Sequence, residues 1–488
     1  MSFQKCLLIY FCLISFSVRC QTNVNATSLL PKMENDSLYL CPKKGLNAAG
    51  LVIGTNLGVW SFDRYVSQRY YAHINYSTIK KNIERGFVWD NDMFLTNLFL
   101  HPYHGGLYFN AARSNGMNFW EAVPYVAGGS LMWEFCMENK SASINDFLAT
   151  SIGGICLGEV TYRISDRIIN DRTVGSARVL REALVFLISP VRGLNRLISG
   201  EAWRYRKTRG KSIPATPIVF YSTIGDRFIA ENLKEKLEFS DMICIDLGLK
   251  YGDAYDVENE RPYDFFLLRM EGNLFSEQPT ISSVNALGLL YSKKIELHRP
   301  NLQMVLGLYQ HFNYYQSNAD TNNVTLNPYK ISEAGSLGPG LLFRAKLKNH
   351  FTFSASTYLS AILLGGSQTD HFKIDNRDYN MGSGFSTKIN LELQYNRKLS
   401  ILMNSEDYRI FSWVGLEPEN PGDNSSNVQG DKGKASLSVA KLSLKYIINK
   451  HTVLGTETGF YYRRSLYKYF PDVEHSVREN KICVGYAF

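Results

Sequence analysis

A chain of 488 residues has room for one large domain or two to three ordinary ones, and 45% hydrophobic against 20% charged residues excludes a disordered, collagen-like or long coiled-coil protein. The 53 Lys and Arg against 45 Asp and Glu leave a formal charge of +8. These charges are dispersed and the densest basic run, 204–211, is short, so nucleic acid is not an expected partner. An aromatic share of 13%, with 30 Tyr and 28 Phe, needs an explanation. Beyond the N-terminus no apolar stretch is long enough for a membrane-spanning helix, so any crossing of a bilayer must be made by strands.

Residues 1–20 have the layout of a secretory signal peptide: Lys5, an apolar run over 6–16, then Ser17-Val18-Arg19-Cys20 before a polar stretch. A lipidated Cys20 is the alternative, which Arg19 fits badly. Residues 21–46 read as a flexible segment. Of the 8 cysteines, Cys41, Cys136, Cys156, Cys244 and Cys483 remain after cleavage, too scattered for a metal-ligand spacing or a disulfide framework. Cys136 and Cys156 are open to a bridge, but read more simply as small buried residues. No cofactor is expected.

Residues 47–209 read as a helical domain. Asn118 followed by Glu121, and Ser143 followed by Asp146, place an acid three positions after a capping side chain, so helices start there. Gly128, Gly129, Gly153, Gly154 and Gly158 would let those two helices approach closely. A third helix is predicted over 177–198, interrupted at Pro190. The run 204–211 reads as a solvated linker on the periplasmic side.

The unusual residues concentrate in Trp89-Asp90-Asn91-Asp92 and in the stretch from His101-Pro102-Tyr103-His104-Gly105-Gly106 through Asn110, Arg113, Ser114 and Asn115 to Gly116. With Phe119-Trp120-Glu121, Trp133-Glu134, Ser143-Ile144-Asn145-Asp146, Gly158-Glu159, Tyr162-Arg163 and the run from Ser189 to Arg196, this block resembles an uncharacterised family of bacterial envelope proteins known as domain of unknown function 3943. The resemblance runs from about Gly54 to Arg206; it implies an envelope location and no activity.

On paper the cluster holds a hydrolase constellation, with His104 as base, Ser114 as nucleophile and Asp92 or Glu134 as orienting acid. Ser114 lies in no Gly-x-Ser-x-Gly turn, however. The bland reading makes Asp90, His101, Asn110, Arg113, Asn115, Glu121, Asp146 and Glu159 a structural polar cluster, with Glu159 and Arg163 paired four apart on one helix. His101 and His104 flank Pro102 and show no third ligand, so no metal is expected.

From about Thr216 the pattern alternates with a period of two, as strands require. Thr387, Ile389, Leu391, Leu393 and Tyr395 oppose Lys388, Asn390, Glu392, Gln394 and Asn396. Phe266, Leu268, Met270 and Leu274 oppose Arg269, Glu271 and Asn273, and Leu442, Leu444, Tyr446 and Ile448 oppose Lys441, Ser443 and Lys445. Tight joints at 298–301, 348–350, 397–398 and 449–451 alternate with longer polar segments at 316–328, 365–380, 416–432 and 467–475, the rhythm of periplasmic turns and extracellular loops. About twelve antiparallel strands are expected within 210–488. The last strand, with Ile482, Val484, Tyr486 and the final Phe488 on one face, resembles the signal by which Gram-negative barrel-assembly machinery recognises its substrates. The expected fold is therefore a membrane β-barrel with an N-terminal α-helical domain packed in or under it, touching outer-membrane lipid. The expected function is non-enzymatic, in envelope organisation, transport or docking, with the helices as plug or cap. A lipid hydrolase or acyltransferase using the 101–115 cluster is the alternative.

Overall fold

A computed structural model describes residues 38–39, 41–89, 92–214, 216–231, 243–256, 261–274, 278–317, 329–348, 350–372, 378–415, 430–449 and 451–487. The expected signal peptide, Asp90, Phe488 and much of the long loops lie outside the described residues. The chain divides into two compact units, one ending at Ala215 and one with the strands from Thr216 on.

The first unit is helical: α1 (Gly45–Ser61), α2 (Tyr76–Arg85), α3 (His101–Arg113), α4 (Phe119–Met132), α5 (Ile144–Leu148), α6 (Gly154–Ile168), α7 (Gly175–Ile188) and α8 (Pro190–Ile198). None of the described helices is long and apolar enough to cross a membrane. Both expected helix starts are present. Asn118 and Glu121 form a reciprocal capping box on α4, and the Ser143 hydroxyl accepts the Asp146 N–H at the start of α5. The helix predicted over 177–198 breaks at Ser189 before Pro190. Cys136 and Cys156 are both free thiols.

Short π-helical segments, Thr96–Leu100, Trp133–Met137 and Ala149–Gly153, interrupt these helices and were not foreseen. Such segments concentrate at functional sites.

The glycine-mediated approach has a different partner from the expected one. Gly154 and Gly158 meet α3 rather than α4: a Cβ on Gly154 would lie 2.5 Å from the Gly105 Cα, and one on Gly158 would lie 2.6 Å from the Phe109 Cβ. Gly129 faces the Tyr108 ring and Val52, while Gly128 faces open space. Pro102 disguised α3 in the sequence. It comes one residue after the π-helical segment Thr96–Leu100, whose altered hydrogen bonding accommodates the missing N–H.

The second unit is a closed antiparallel barrel of β1 (Ile218–Glu231), β2 (Ile243–Tyr251), β3 (Phe266–Leu274), β4 (Ile281–Ile295), β5 (Leu302–Gln316), β6 (Lys330–Lys346), β7 (Phe351–Gln368), β8 (Tyr379–Tyr395), β9 (Leu399–Ser412), β10 (Gly433–Ile447), β11 (Thr452–Tyr467) and β12 (Val473–Ala487), sealed by pairing of β1 with β12. Closure leaves no edge, the condition for strands to survive in hydrocarbon. The alternation falls as predicted on β8, β10 and β12, whereas Phe266 and Met270, expected on the outward face of β3, are buried. Ile389, Leu393, Leu442, Leu444, Ile482, Val484 and Tyr486 are exposed on the outside, whereas Lys388, Lys441 and Glu271 are buried within.

Connections at one end are tight, as at the three-residue joint 396–398, where Asn396 and Arg397 take the positive φ values of the central pair of a β-turn closed by Lys398 N–H to the Tyr395 carbonyl. Most long connections lie at the other end. The joint 252–265 breaks the rule, being long at the tight-turn end, while 275–280 and 468–472 are short at the loop end.

The α3–α6 crossing makes a direct prediction. Gly154→Ala must push backbone against backbone and should lower stability by roughly 1–3 kcal/mol. Gly128→Ala should be neutral or stabilising by up to about 1 kcal/mol. Thermal unfolding of the detergent-folded chain, followed by the helical far-UV signal, checks both.

Candidate functional site

The residues of the hypothetical hydrolase do not converge. His104 lies in the first turn of α3 and Ser114 caps its end, ten residues and so about 15 Å apart along the axis. The Ser114 hydroxyl donates to the Ala111 carbonyl at 3.2 Å. His104 is turned into the core, its Nε2 3.0 Å from the Tyr108 hydroxyl and its ring edge-on to Trp133 at 4.9 Å. Tyr108 donates in turn to the Asn56 side-chain carbonyl, so its oxygen accepts from the imidazole. Burial, with a smaller effect from neighbouring His101, pushes the His104 pKa down to about 3. The Glu134 carboxylate accepts the Ser143 N–H at 2.8 Å, holding the start of α5.

Most of the polar cluster cross-links helices. Asn110 donates to the Gly106 carbonyl and to Thr161, both at 2.9 Å, and Asn115 donates to the Ala111 carbonyl at 2.9 Å. Glu121 completes its capping box and pairs with Lys43 at 2.6 Å. The expected Glu159–Arg163 pair is present at 2.7 Å, and Arg113 joins it through a bidentate contact at 2.8 and 3.2 Å.

This triad belongs to a larger buried network that residue spacing did not disclose. The Tyr162 ring has the Arg113 and Arg192 guanidinium carbons 4.5 and 4.1 Å from its centroid. Arg192 reaches Asp166 at 2.6 Å, and Arg196 bridges Asp171 and Glu182, each at 2.8 Å. The run from Ser189 to Arg196 thus supplies guanidinium groups to a carboxylate-lined interior. In sequence these arginines fall on the polar side of an amphipathic helix, opposite Leu194, Leu197 and Ile198, so periodicity alone would turn them to solvent, whereas the structure buries them and exposes the apolar side.

One grouping has a different character. Asp92, His101 and Asp146 bring one ligand-type atom each to within 4.8 Å of one another. His101 Nε2 lies 3.6 Å from Asp146 Oδ2. The expectation of no third ligand considered the His101–His104 spacing. The partners of His101 come instead from the segment before α3 and from α5.

Inside the barrel, polar and aromatic side chains meet within the lumen, most of them from strands that are not neighbours. Lys441 on β10 and Lys481 on β12 donate to Glu271 on β3 at 3.0 and 2.7 Å, and Arg269 on β3 reaches Glu457 on β11 at 3.2 Å. Arg227 on β1 binds Asn273 at 2.8 Å and pairs with Glu479 on β12. Lys388 on β8 donates to Glu333 on β6 at 2.6 Å, beside His311 on β5.

Toward the loop end lies a layer containing Tyr315, Tyr329, Tyr408, Leu437 and Tyr461, in which the Tyr329 and Tyr461 rings stack at 5.0 Å. At the tight-turn end the 252–265 joint folds inward. Its Tyr255 hydroxyl donates to the Phe343 carbonyl on β6 at 2.9 Å, and its Asp253 pairs with Arg344 at 3.2 Å. A cavity of about 40 Å³ remains along β1–β3 and β10–β12.

An apolar exterior, an ionic interior and complete closure define an outer-membrane β-barrel, here preceded by a helical unit. Residues 86–191 match the family described as a domain of unknown function, DUF3943. No curated protein matches the chain. Among solved structures the chain is similar to the NanC porin (10% identity, TM-score 0.28, covering 55% of this chain and 98% of that one). It is also similar to OmpT, an outer membrane protein of Vibrio cholerae (9%, 0.23, 57% and 98%), and to the KdgM porin in complex with disordered oligogalacturonate (10%, 0.24, 55% and 99%).

The neutral, buried His104 predicts a pH dependence. Its folded pKa of about 3 lies below the ordinary 6.5, so on acidification the unfolded chain takes up the proton first. The stability associated with the neutral ring is complete above pH 6.5 and falls progressively toward pH 3, by an amount on the order of 4 kcal/mol. Melting curves between pH 7.5 and 4 should show a shallower pH slope for His104→Gln than for the natural chain.

Proposed function

We propose that the protein is a non-conducting outer-membrane barrel that organises the envelope by anchoring its helical unit there, and that it is not an enzyme. The observation that carries this reading is the set of ion pairs joining β3 to β10, β11 and β12 through the lumen, below an aromatic layer. An open porin keeps a water-filled channel along its axis. Here the strands' own side chains occupy that space, so the seal does not call on the helices as a plug.

The apolar outer face, with Leu442, Leu444, Ile482 and Val484 exposed, suits contact with lipid. Val484 and Tyr486, outward on β12, suit recognition by the barrel-assembly machinery; the third expected contributor, Phe488, lies outside the described residues. Against a lipid hydrolase or acyltransferase stands the burial of His104, which denies it the proton affinity a general base needs near neutral pH.

Liposome swelling tests the seal. Vesicles carrying the folded full-length protein should swell in small sugars no faster than protein-free vesicles. The double variant Glu271→Ala/Lys441→Ala, checked for folding by its heat-modifiable gel mobility, should raise the rate. Rapid swelling with the natural protein would sink the proposal.

A further inference from the structure

We propose that Asp92, His101 and Asp146 form a site for one divalent transition-metal ion, with zinc the best match to the donor set. One imidazole nitrogen and two carboxylates are ordinary zinc ligands, and three of them leave a fourth position for water. Two ligands bound tetrahedrally at 2.0–2.1 Å from zinc stand about 3.4 Å apart. His101 Nε2 and Asp146 Oδ2 are 3.6 Å apart, beyond a direct hydrogen bond and close to that ligand spacing. With Asp92 all three donors lie within 4.8 Å, so a shift of about an ångström in the half-exposed Asp92 side chain completes the set.

The surroundings hold these atoms in place. Thr150 Oγ1 stands 3.3 Å from His101 Nδ1, and the Asn145 amide donates to Asp146 Oδ1 at 2.9 Å, while the other ring nitrogen and the other carboxylate oxygen face each other. Metal-bound histidines and carboxylates have such outer partners as a rule, because these fix the tautomer and the ligand's direction. His101 directly follows one π-helical segment and Thr150 lies within another, so local departures from regular helix bring both residues to the site.

Burial is graded across the site. The Asp146 and His101 side chains are 6% and 12% exposed, Asp92 is 40% exposed, and the site therefore reaches solvent on the Asp92 side. Lys140, whose Nζ is 3.6 Å from Asp92 Oδ1, is an exposed cation in a loose surface pair that a bound dication outcompetes. The inference is independent of whether the barrel conducts.

The test uses the full-length protein folded in detergent, stripped with a chelator and titrated with Zn²⁺ against a chromophoric competitor. The expected result is one zinc per chain at micromolar affinity or tighter, with Co²⁺ giving the visible absorption of a four-coordinate site. His101→Ala should abolish this binding. Asp92→Asn, at a half-exposed position that folding tolerates, and Thr150→Val, which touches no proposed ligand atom, should each weaken it roughly tenfold or more. Heat-modifiable mobility verifies that every variant is folded. Absence of zinc binding, or equal affinity in all three folded variants, overturns the proposal.

Discussion

In a closed sheet surrounded by hydrocarbon, ionisable side chains on the strands are accommodated at least cost facing inward, and outward ones such as Asp407 and Arg409 pair with each other, here at 2.9 Å. Lys388, Lys441, Lys481, Glu271 and Glu333 all face inward, and each then needs a partner, because an enclosed charge without one costs several kcal/mol. The partners lie on other strands: Glu271 takes lysines from β10 and β12, and Glu333 takes one from β8. The constraint that turns charge inward is thus the same one that closes the lumen. The aromatic excess has a related explanation. Tyrosines such as Tyr315 and Tyr408 fill interior volume with rings while their hydroxyls reach the Glu406 carboxylate, at 2.8 and 2.6 Å.

The helical unit solves a similar problem with arginine. Arg113, Arg163, Arg192 and Arg196 are largely buried, and each lies against a carboxylate with forked or charge-assisted geometry. Such pairs add little net stability over apolar packing, yet they tolerate only one arrangement of the helices that carry them. Their recurrence across α3, α6, α7 and α8 ties these helices into one specified arrangement, in which glycines permit the closest backbone approach.

The barrel was legible because it rests on local rules. Alternation in 387–396, tight joints and terminal strand pattern each follow from a period of two and from short hairpins. Capping pairs at Asn118 and Ser143 were legible for the same reason. What escaped was non-local or irregular. The α3–α6 crossing joins glycines about fifty residues apart, and Pro102 hid the helix that carries two of them. The Asp92–His101–Asp146 grouping joins three chain segments, so no single spacing encodes it. His104 and Ser114, near each other in sequence, stand apart along one helix, a separation that sequence proximity conceals.

The inward-folded joint after β2 bears on how the barrel is assembled. Its anchors, Phe343 and Arg344, lie about ninety residues further along the chain, on a strand separated from β3 by β4 and β5 in the sheet. These contacts form only once β2, β3 and β6 stand in the same sheet, whatever the order in which the strands are added, and they then act as an internal strut. Any intermediate lacking one of these strands lacks this brace at the rim, and only the finished cylinder has it.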